Sequence, residues 1–338
     1  MRWRWGNVKL RTVLVGVLGL WLVKCMFEVM IRVHDQDGVV VSDKENKHVA
    51  VILVMKSSVD TLRYDERVEA ILETWGNPNV TEKHCDNLQV QVRFVSQNQV
   101  HDEHVYQVDE KEGKSLNMIE AYKMALDEFW DRLKWVAKGD DLTFWYTNNL
   151  CLYLSRLTES TGPNPEIATG NYLMESKGKD SFLSGGAGWV LSRSWLTRYL
   201  DTWDKECSDS FRKDAEDMSL ASCAVKAGLN LSKALDGSKE LFNVYGPMGS
   251  ILGLYDSWYR RYKLNAGIEN LSCCSDSLIT FHYIEAPLVR RIWQILHSSK
   301  VSLSMDTWPH GLGGYAKKPR SPTNIDELND LLGRMRGF

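Results

Sequence analysis

The sequence predicts an α/β domain built on a doubly wound, mostly parallel sheet. From residue 48 onward, strand-length apolar runs alternate with helical stripes. The first run lacks polar alternation, as befits a strand covered on both faces. Acidic and glycine-rich segments lie beside strand-like runs, where such sheets bind ligands. The 338 residues exceed a usual core of about 100 to 200, which implies one large domain with appendages. A composition of 43% hydrophobic and 25% charged residues is globular. With 41 basic and 44 acidic residues, the net charge of −3 argues against a nucleic-acid binder. The thirteen Trp residues are taken as core by default.

Residues 1–11 carry Arg2, Arg4, Lys9 and Arg11 and read as a cytosolic tail. Thr12 to Ile31 is a 20-residue apolar run, long enough as a helix to cross a bilayer. Lys24 and Glu28 interrupt it one helical turn apart, where they can pair or snorkel. The basic residues before the span place the remainder in the lumen by the positive-inside rule. A cleaved signal peptide over Thr12 to Val23 is the competing reading, but no small-x-small cleavage site follows. The expectation is therefore a retained signal-anchor over 12–31 and a membrane as partner. Residues 32–47 are polar and aperiodic and read as a stem.

Six cysteines lie beyond Cys25: Cys85, Cys151, Cys207, Cys223, Cys273 and Cys274. An even set fits an oxidising lumen but leaves the pairing open. Adjacent trans Cα atoms are about 3.8 Å apart, below the usual bridge distance, so the 273–274 pair argues against mutual bonding. The sequons at Asn79, Asn230 and Asn270 are compatible with a lumenal domain.

His48 to Met55 reads as a buried strand. Tyr64, Val68, Ile71, Leu72 and Trp75 then form a helical stripe ended by Gly76 and Pro78. Val90 to Ser96 alternates as a second strand. A second helix follows through Ile119, Tyr122, Leu126, Phe129 and Leu133, with Ser115 as candidate N-cap. Leu133 to Lys138 is a third strand, directly followed by Gly139, Asp140 and Asp141. Two carboxylates at that edge suit a hard cation carrying a nucleotide diphosphate, although acidic pairs also occur as solvated turns. Ser184 to Ser192 sets three glycines against a short strand, either to admit a ligand or to pack closely. Ala215 to Leu229 reads as a helix ending near Gly228, with Glu216 and Asp217 in its first turn, where the helix dipole alone would explain acids. Cys273 to Tyr283 brings His282 onto a strand-like run. After 298 the chain is polar, with GLGG and KKPRSP segments, and 299–338 reads as a loose tail behind a 48–298 domain.

In this order ERVEAILETWG (66–76), WVAKGDDLTF (135–144), SGGAGWVLS (184–192), AEDMSL (215–220) and CCSDSLITFHY (273–283) resemble the core 1 β1,3-galactosyltransferase (T-synthase) branch of glycosyltransferase family 31. CCSD followed by FHY is the most specific piece. The resemblance implies a GT-A fold, a Golgi type II membrane protein, and inverting transfer of galactose from UDP-galactose to O3 of N-acetylgalactosamine on Ser or Thr of glycoproteins. It implies Mn²⁺ or Mg²⁺ held by Asp140, Asp141 and His282, with Asp217 as base and Glu216 at the substrate. Arg67 and Trp75 match the nucleotide pocket, which Lys138, Asp140, Asp141, Gly185 and Gly186 complete. Trp258 and Tyr259 match a stretch that contacts the acceptor sugar. Where the family reads K-A-D-D-D-T-Y, this chain reads Lys138, Gly139, Asp140, Asp141, Leu142, Thr143, Phe144, so Leu142 replaces the third Asp. The branch also contains a chaperone of the active galactosyltransferase that has lost the D-x-D motif, which makes a non-catalytic partner the alternative. A second copy of the chain, as a homodimer, is a further expected partner.

Overall fold

The computed structural model describes residues 47–57, 61–77, 85, 88–96, 104–109, 113–174, 181–209, 211–265, 273–298, 300–304 and 321–336. The expected tail, anchor and most of the stem lie outside them. Among the described residues no helix is long and apolar enough to cross a membrane.

In chain order the elements are β1 (His48–Met55), α1 (Tyr64–Glu73), β2 (Leu88–Ser96), β3 (Val105–Gln107), α2 (Lys114–Glu128), β4 (Leu133–Asp140), β5 (Phe144–Trp145) and α3 (Thr147–Thr161). The chain continues through β6 (Ala168–Gly170), β7 (Tyr172–Met174), β8 (Ser181–Leu183), β9 (Trp189–Ser192), α4 (Arg193–Thr202) and α5 (Glu216–Lys226). It ends with β10 (Ser232–Lys233), β11 (Leu235–Asp236), β12 (Lys239–Glu240), β13 (Phe242–Asn243), α6 (Pro247–Ile251), α7 (Ser257–Asn265), β14 (Thr280–Phe281), α8 (Ala286–His297) and α9 (Pro322–Met335).

The main sheet has the order β10-β6-β9-β4-β1-β2-β3. Strands β4, β1, β2 and β3 run parallel, as β10 does to β6, whereas β9 is antiparallel to both β4 and β6. The expected mostly parallel sheet is therefore present. Central β1 divides the core: Ala50, Ile52 and Val54 face one apolar cluster, and Val49, Val51 and Leu53 face the other. The first cluster takes apolar residues of α1, α8 and α9, and the second takes those of α2, α4 and α5. Period-two alternation explains why a continuous apolar run was needed at β1.

Three expectations change. Helix α2 begins after Gly113 at φ +80, and Ser115 instead donates through Oγ to Arg212 O at 2.5 Å, so it is not the N-cap. The loose tail is corrected for Pro322–Met335, which form α9 with Ile325, Leu328, Leu331, Leu332 and Met335 buried. Ser321 and Asn324 cap that helix reciprocally. Steps of three and four residues put those apolar side chains on one face, and their burial outweighs the polarity of the preceding segment. Finally, the cysteines pair as Cys85–Cys151, Cys207–Cys223 and Cys273–Cys274. The expectation against the adjacent pair is thereby overturned; its peptide is cis, with the Cα atoms 3.1 Å apart.

Candidate active site

Strand β4 extends two residues beyond its expected end and delivers Lys138 and Asp140 to its carboxyl edge. The pleat places these two on one face and sends Asp141 to the other. A second sheet of order β13-β14-β5 supplies the opposite wall, with Phe281 paired to Phe144. One further step of that register sets His282 level with Thr143, beside Asp140.

The Asp140 Oδ2 and His282 Nε2 atoms are 3.2 Å apart. Asp140 Oδ1 accepts the Leu142 N–H at 3.0 Å, and the Thr143 hydroxyl lies 3.1 Å from it and 2.9 Å from Gly186 O. The Nδ1 of His282 is 3.3 Å from Val244 O. A carbonyl can only accept, so in that contact Nδ1 is the donor. Although burial raises the Asp140 carboxyl, His282 and then Lys138 bring it down to about 2. Tyr283, next in sequence, has φ 59, outside the usual range for a bulky residue, and its ring lies 3.9 Å from the His282 ring.

Lys138 is almost fully buried. Its Nζ donates to Glu216 Oε1 at 2.7 Å and to Gly185 O at 3.1 Å, over the face of Trp189. Glu216 and Asp217 open α5. Burial opposes ionisation of Glu216, but Lys138 holds its carboxyl below the ordinary value. For Asp217, burial and the charge of Glu216 push the carboxyl up, against Lys138 and the amides of Met218 and Gly185. The result is a partly exposed carboxylate with raised basicity, contrary to the lowering expected from the helix N-terminus alone.

The two glycines join these halves. A Cβ on Gly186 would lie 2.2 Å from His282 Cε1, and one on Gly185 would lie 2.9 Å from Glu216 Oε1. Both positions exclude a side chain, so the pair serves close packing of site residues against the loop. Asp140, His282, Gly185, Gly186, Lys138, Glu216 and Asp217 thus form one contiguous polar cluster.

Four expected site residues lie elsewhere. Asp141 accepts Ser57 N–H at 2.5 Å and Arg67 Nε at 2.6 Å, so the structure removes it from the Asp140–His282 pair. Burial and Asp140 push its carboxyl up to about 6, against Arg67 and the Ser57 amide. Arg67 is 1% exposed and also lies 3.5 Å from Glu285, so its contacts here are to these two carboxylates. Trp75 is fully buried in the core. Tyr259 is 1% exposed and donates to Glu240 Oε2 at 2.9 Å, leaving Trp258, at 39%, as the exposed member of the pair. Sequence matching identifies such positions without revealing which way their side chains point.

Glu240, which the sequence reading missed, lies beneath that aromatic stretch in an ion pair with buried Lys263, and Asn171 donates to its Oε2 at 3.1 Å. The tetrapeptide around it, SKEL, carries no motif that would have flagged it.

Among the described residues, no three His, Cys, Asp or Glu side chains gather around one point that could hold a metal. The Asp140–His282 pair nevertheless fits part of a divalent-ion site. Adjacent ligands at about 2.1 Å from an octahedral ion are roughly 3.0 Å apart, close to the observed spacing. Leu142 is buried and offers no oxygen from its side chain.

No family model matches the chain. It is 29% identical over 172 residues to glycoprotein-N-acetylgalactosamine 3-beta-galactosyltransferase 1 of Xenopus laevis, covering 49% of this chain and 46% of that protein. The chain thus spans about half the length of this curated relative, whose name agrees with the resemblance read from the motifs. Among solved structures it is similar to a glycosyltransferase involved in glycosylation of the major capsid of PBCV-1. That likeness has a TM-score of 0.36 and 8% identity, and covers 70% of this chain and 93% of that one. It is also similar to mouse xyloside xylosyltransferase 1 in its apo form, with a TM-score of 0.38, 10% identity, and coverage of 70% and 97%.

Proposed function

We propose that this chain is an inverting glycosyltransferase of the GT-A type that moves galactose from UDP-galactose to O3 of N-acetylgalactosamine on glycoprotein Ser or Thr. The observation that carries the proposal is the convergence of Asp217 with the Asp140–His282 pair across the glycine notch, in a chain similar to a galactosyltransferase acting on glycoprotein N-acetylgalactosamine. In the proposed reaction the acceptor O3 forms a bond to the anomeric carbon of galactose while the bond from that carbon to the diphosphate oxygen breaks. The configuration inverts and UDP leaves. Asp217 takes the proton of the attacking hydroxyl, a role favoured by a carboxylate pushed above its ordinary range. Lys138 positions the start of α5 by holding Glu216 and Gly185 together. Trp258 offers an exposed ring face to the acceptor sugar.

Asp140 and His282 would hold Mn²⁺ or Mg²⁺. The ion would supply positive charge to the departing diphosphate. Leu142 would add no side-chain ligand, so the remaining positions would be open to oxygens of the diphosphate. A lumenal Golgi domain anchored by 12–31 is proposed with it, on the basis of the apolar run and its basic flank.

The two-ligand site also favours a second reading, a non-catalytic chaperone of an active galactosyltransferase. The deciding experiment measures Mn²⁺-dependent transfer of galactose from UDP-galactose to a GalNAc-peptide by the full chain. Turnover lost in Asp217→Asn is the expected result. Absence of UDP-galactose binding and of turnover, with rescue of a misfolding client enzyme, would select the chaperone.

A further inference from the structure

Asn230 lies in the short segment between α5 and β10, whereas the sequon residues Asn79 and Asn270 lie outside the described residues. Helix α5 ends there in a fixed turn. Gly228 has φ +62, its N–H donates to Val225 O at 3.1 Å, and the Leu229 N–H donates to Ala224 O at 2.8 Å. This pair of bonds stops the helix and releases the chain toward β10. Leu229 is buried and Leu231 packs half-buried against the core, but Asn230 between them is exposed. The two flanking leucines thus hold the backbone with the Asn230 amide turned outward.

An asparagine beside a helix end is commonly kept for a turn, where its side chain bonds to nearby backbone. Asn230 makes no such bond among the described residues. Only its carbonyl is engaged, accepting from Trp195 Nε1 at 3.2 Å. The hydroxyl residue of the sequon, Ser232, is also exposed and opens β10, where its Oγ donates to Ala168 O at 2.9 Å. Strand β10 is the terminal strand of the main sheet, so no further strand of that sheet adjoins it. Neither residue 231 nor residue 233 is proline, which keeps the sequon competent.

We propose that Asn230 is an N-glycosylation site whose glycan projects from the β10 edge of the domain. The inference rests on the lumenal reading given above. In the reaction the Asn230 Nδ2 forms a bond to the anomeric carbon of an oligosaccharide carried on a lipid diphosphate, while the bond from that carbon to the diphosphate breaks. The lipid diphosphate leaves, and the amide gives up one proton. The folded domain then has to hold the product, and an outward amide bound to nothing does so without displacing a packed group. Helix α5 begins with Glu216 and Asp217 and ends before Asn230, so its 11 residues, about 16 Å of helix, separate the glycan from the cleft.

The test is expression of the full chain in a eukaryotic secretory host, followed by peptide mass spectrometry with and without peptide N-glycanase, which converts a glycosylated Asn to aspartate. Conversion of Asn230 in the treated sample alone is expected. Asn230→Gln and Ser232→Ala should each abolish the glycan at this site, whereas Ser232→Thr, which retains a hydroxyl, should keep it. An unconverted Asn230, or conversion that survives Ser232→Ala, would overturn the proposal. Protease added to sealed microsomes distinguishes the two readings. A protected domain with unmodified Asn230 overturns this proposal alone, and a digested domain overturns the lumenal reading together with it.

Discussion

Two sides of the β4 edge begin from adjacent, chemically identical residues and end in opposite conditions. On one side Asp141, Arg67 and Glu285 form a sealed knot, with both Asp141 oxygens engaged by Ser57 and Arg67. On the other, Asp140 shares a contiguous polar cluster with His282, the glycine notch and the start of α5. The alternation of the strand separates them, and the neighbour each side chain meets determines its use. Burial with a fixed partner makes Asp141 structural, whereas Asp140, held ionised by His282 and Lys138, keeps its charge in the same cluster as the partly exposed Asp217, whose raised carboxyl suits proton transfer.

The contrast predicts that substitutions in the cleft reduce turnover at nearly constant stability, and that substitutions in the knot reduce stability first. The largest expected effect is on turnover. Asp217→Asn should lower kcat for galactose transfer by about 10²- to 10⁴-fold, the usual worth of a general base, with an unchanged melting temperature. Persistent turnover in that variant would break the assignment. Next, Arg67→Met strands a buried carboxylate and should destabilise the fold by about 3 to 5 kcal/mol in denaturant titrations. A smaller loss would mean that the knot is less sealed than its burial indicates.

Gly186→Ala should reduce Mn²⁺-dependent turnover by about tenfold or more, because its new methyl would occupy the space of the His282 ring and displace that group. Leu142→Asp should strengthen Mn²⁺ dependence in a metal titration and lower the melting temperature, because it places a carboxylate at a buried position. The smallest effect is a displacement of the pH profile. Because burial and Glu216 raise the Asp217 carboxyl, kcat/KM should fall with decreasing pH through a value above the ordinary carboxylate range. Glu216→Gln removes the charge that helps to raise it and should shift this acid limb to lower pH.

The two sides also differ in how far the sequence revealed them. β1, α1, β2 and β4 were legible because each carries an unbroken apolar run, a clear alternation or a full helical stripe. Of the opposite wall only the run holding β14 was read as strand-like, since β13 and β5 are two residues each, too short to show a period. Motifs supplied Asp140, His282 and Asp217 without them. The direction of a side chain was the missing quantity: Asp141, Arg67 and Tyr259 matched functional positions, yet each is turned into the protein. The helix over Pro322–Met335 was read as part of a loose tail, because the polar GLGG and KKPRSP segments before it outweighed the steps of three and four from Ile325 to Met335.

Helix α9 links this architecture to the order of folding. The Tyr146 hydroxyl donates to Met335 O across 189 residues of chain, just beyond β5 and close to the wall that carries His282. Contacts so distant in sequence carry a large loop-closure entropy, whereas the β1–α1–β2 unit is local. We expect that unit to form early and the active-site wall to be completed late. Substitutions of Leu328 or Leu332 should then accelerate unfolding more than they slow refolding. By that account, the chemistry of the cleft becomes available only when the most distant parts of the sequence have met.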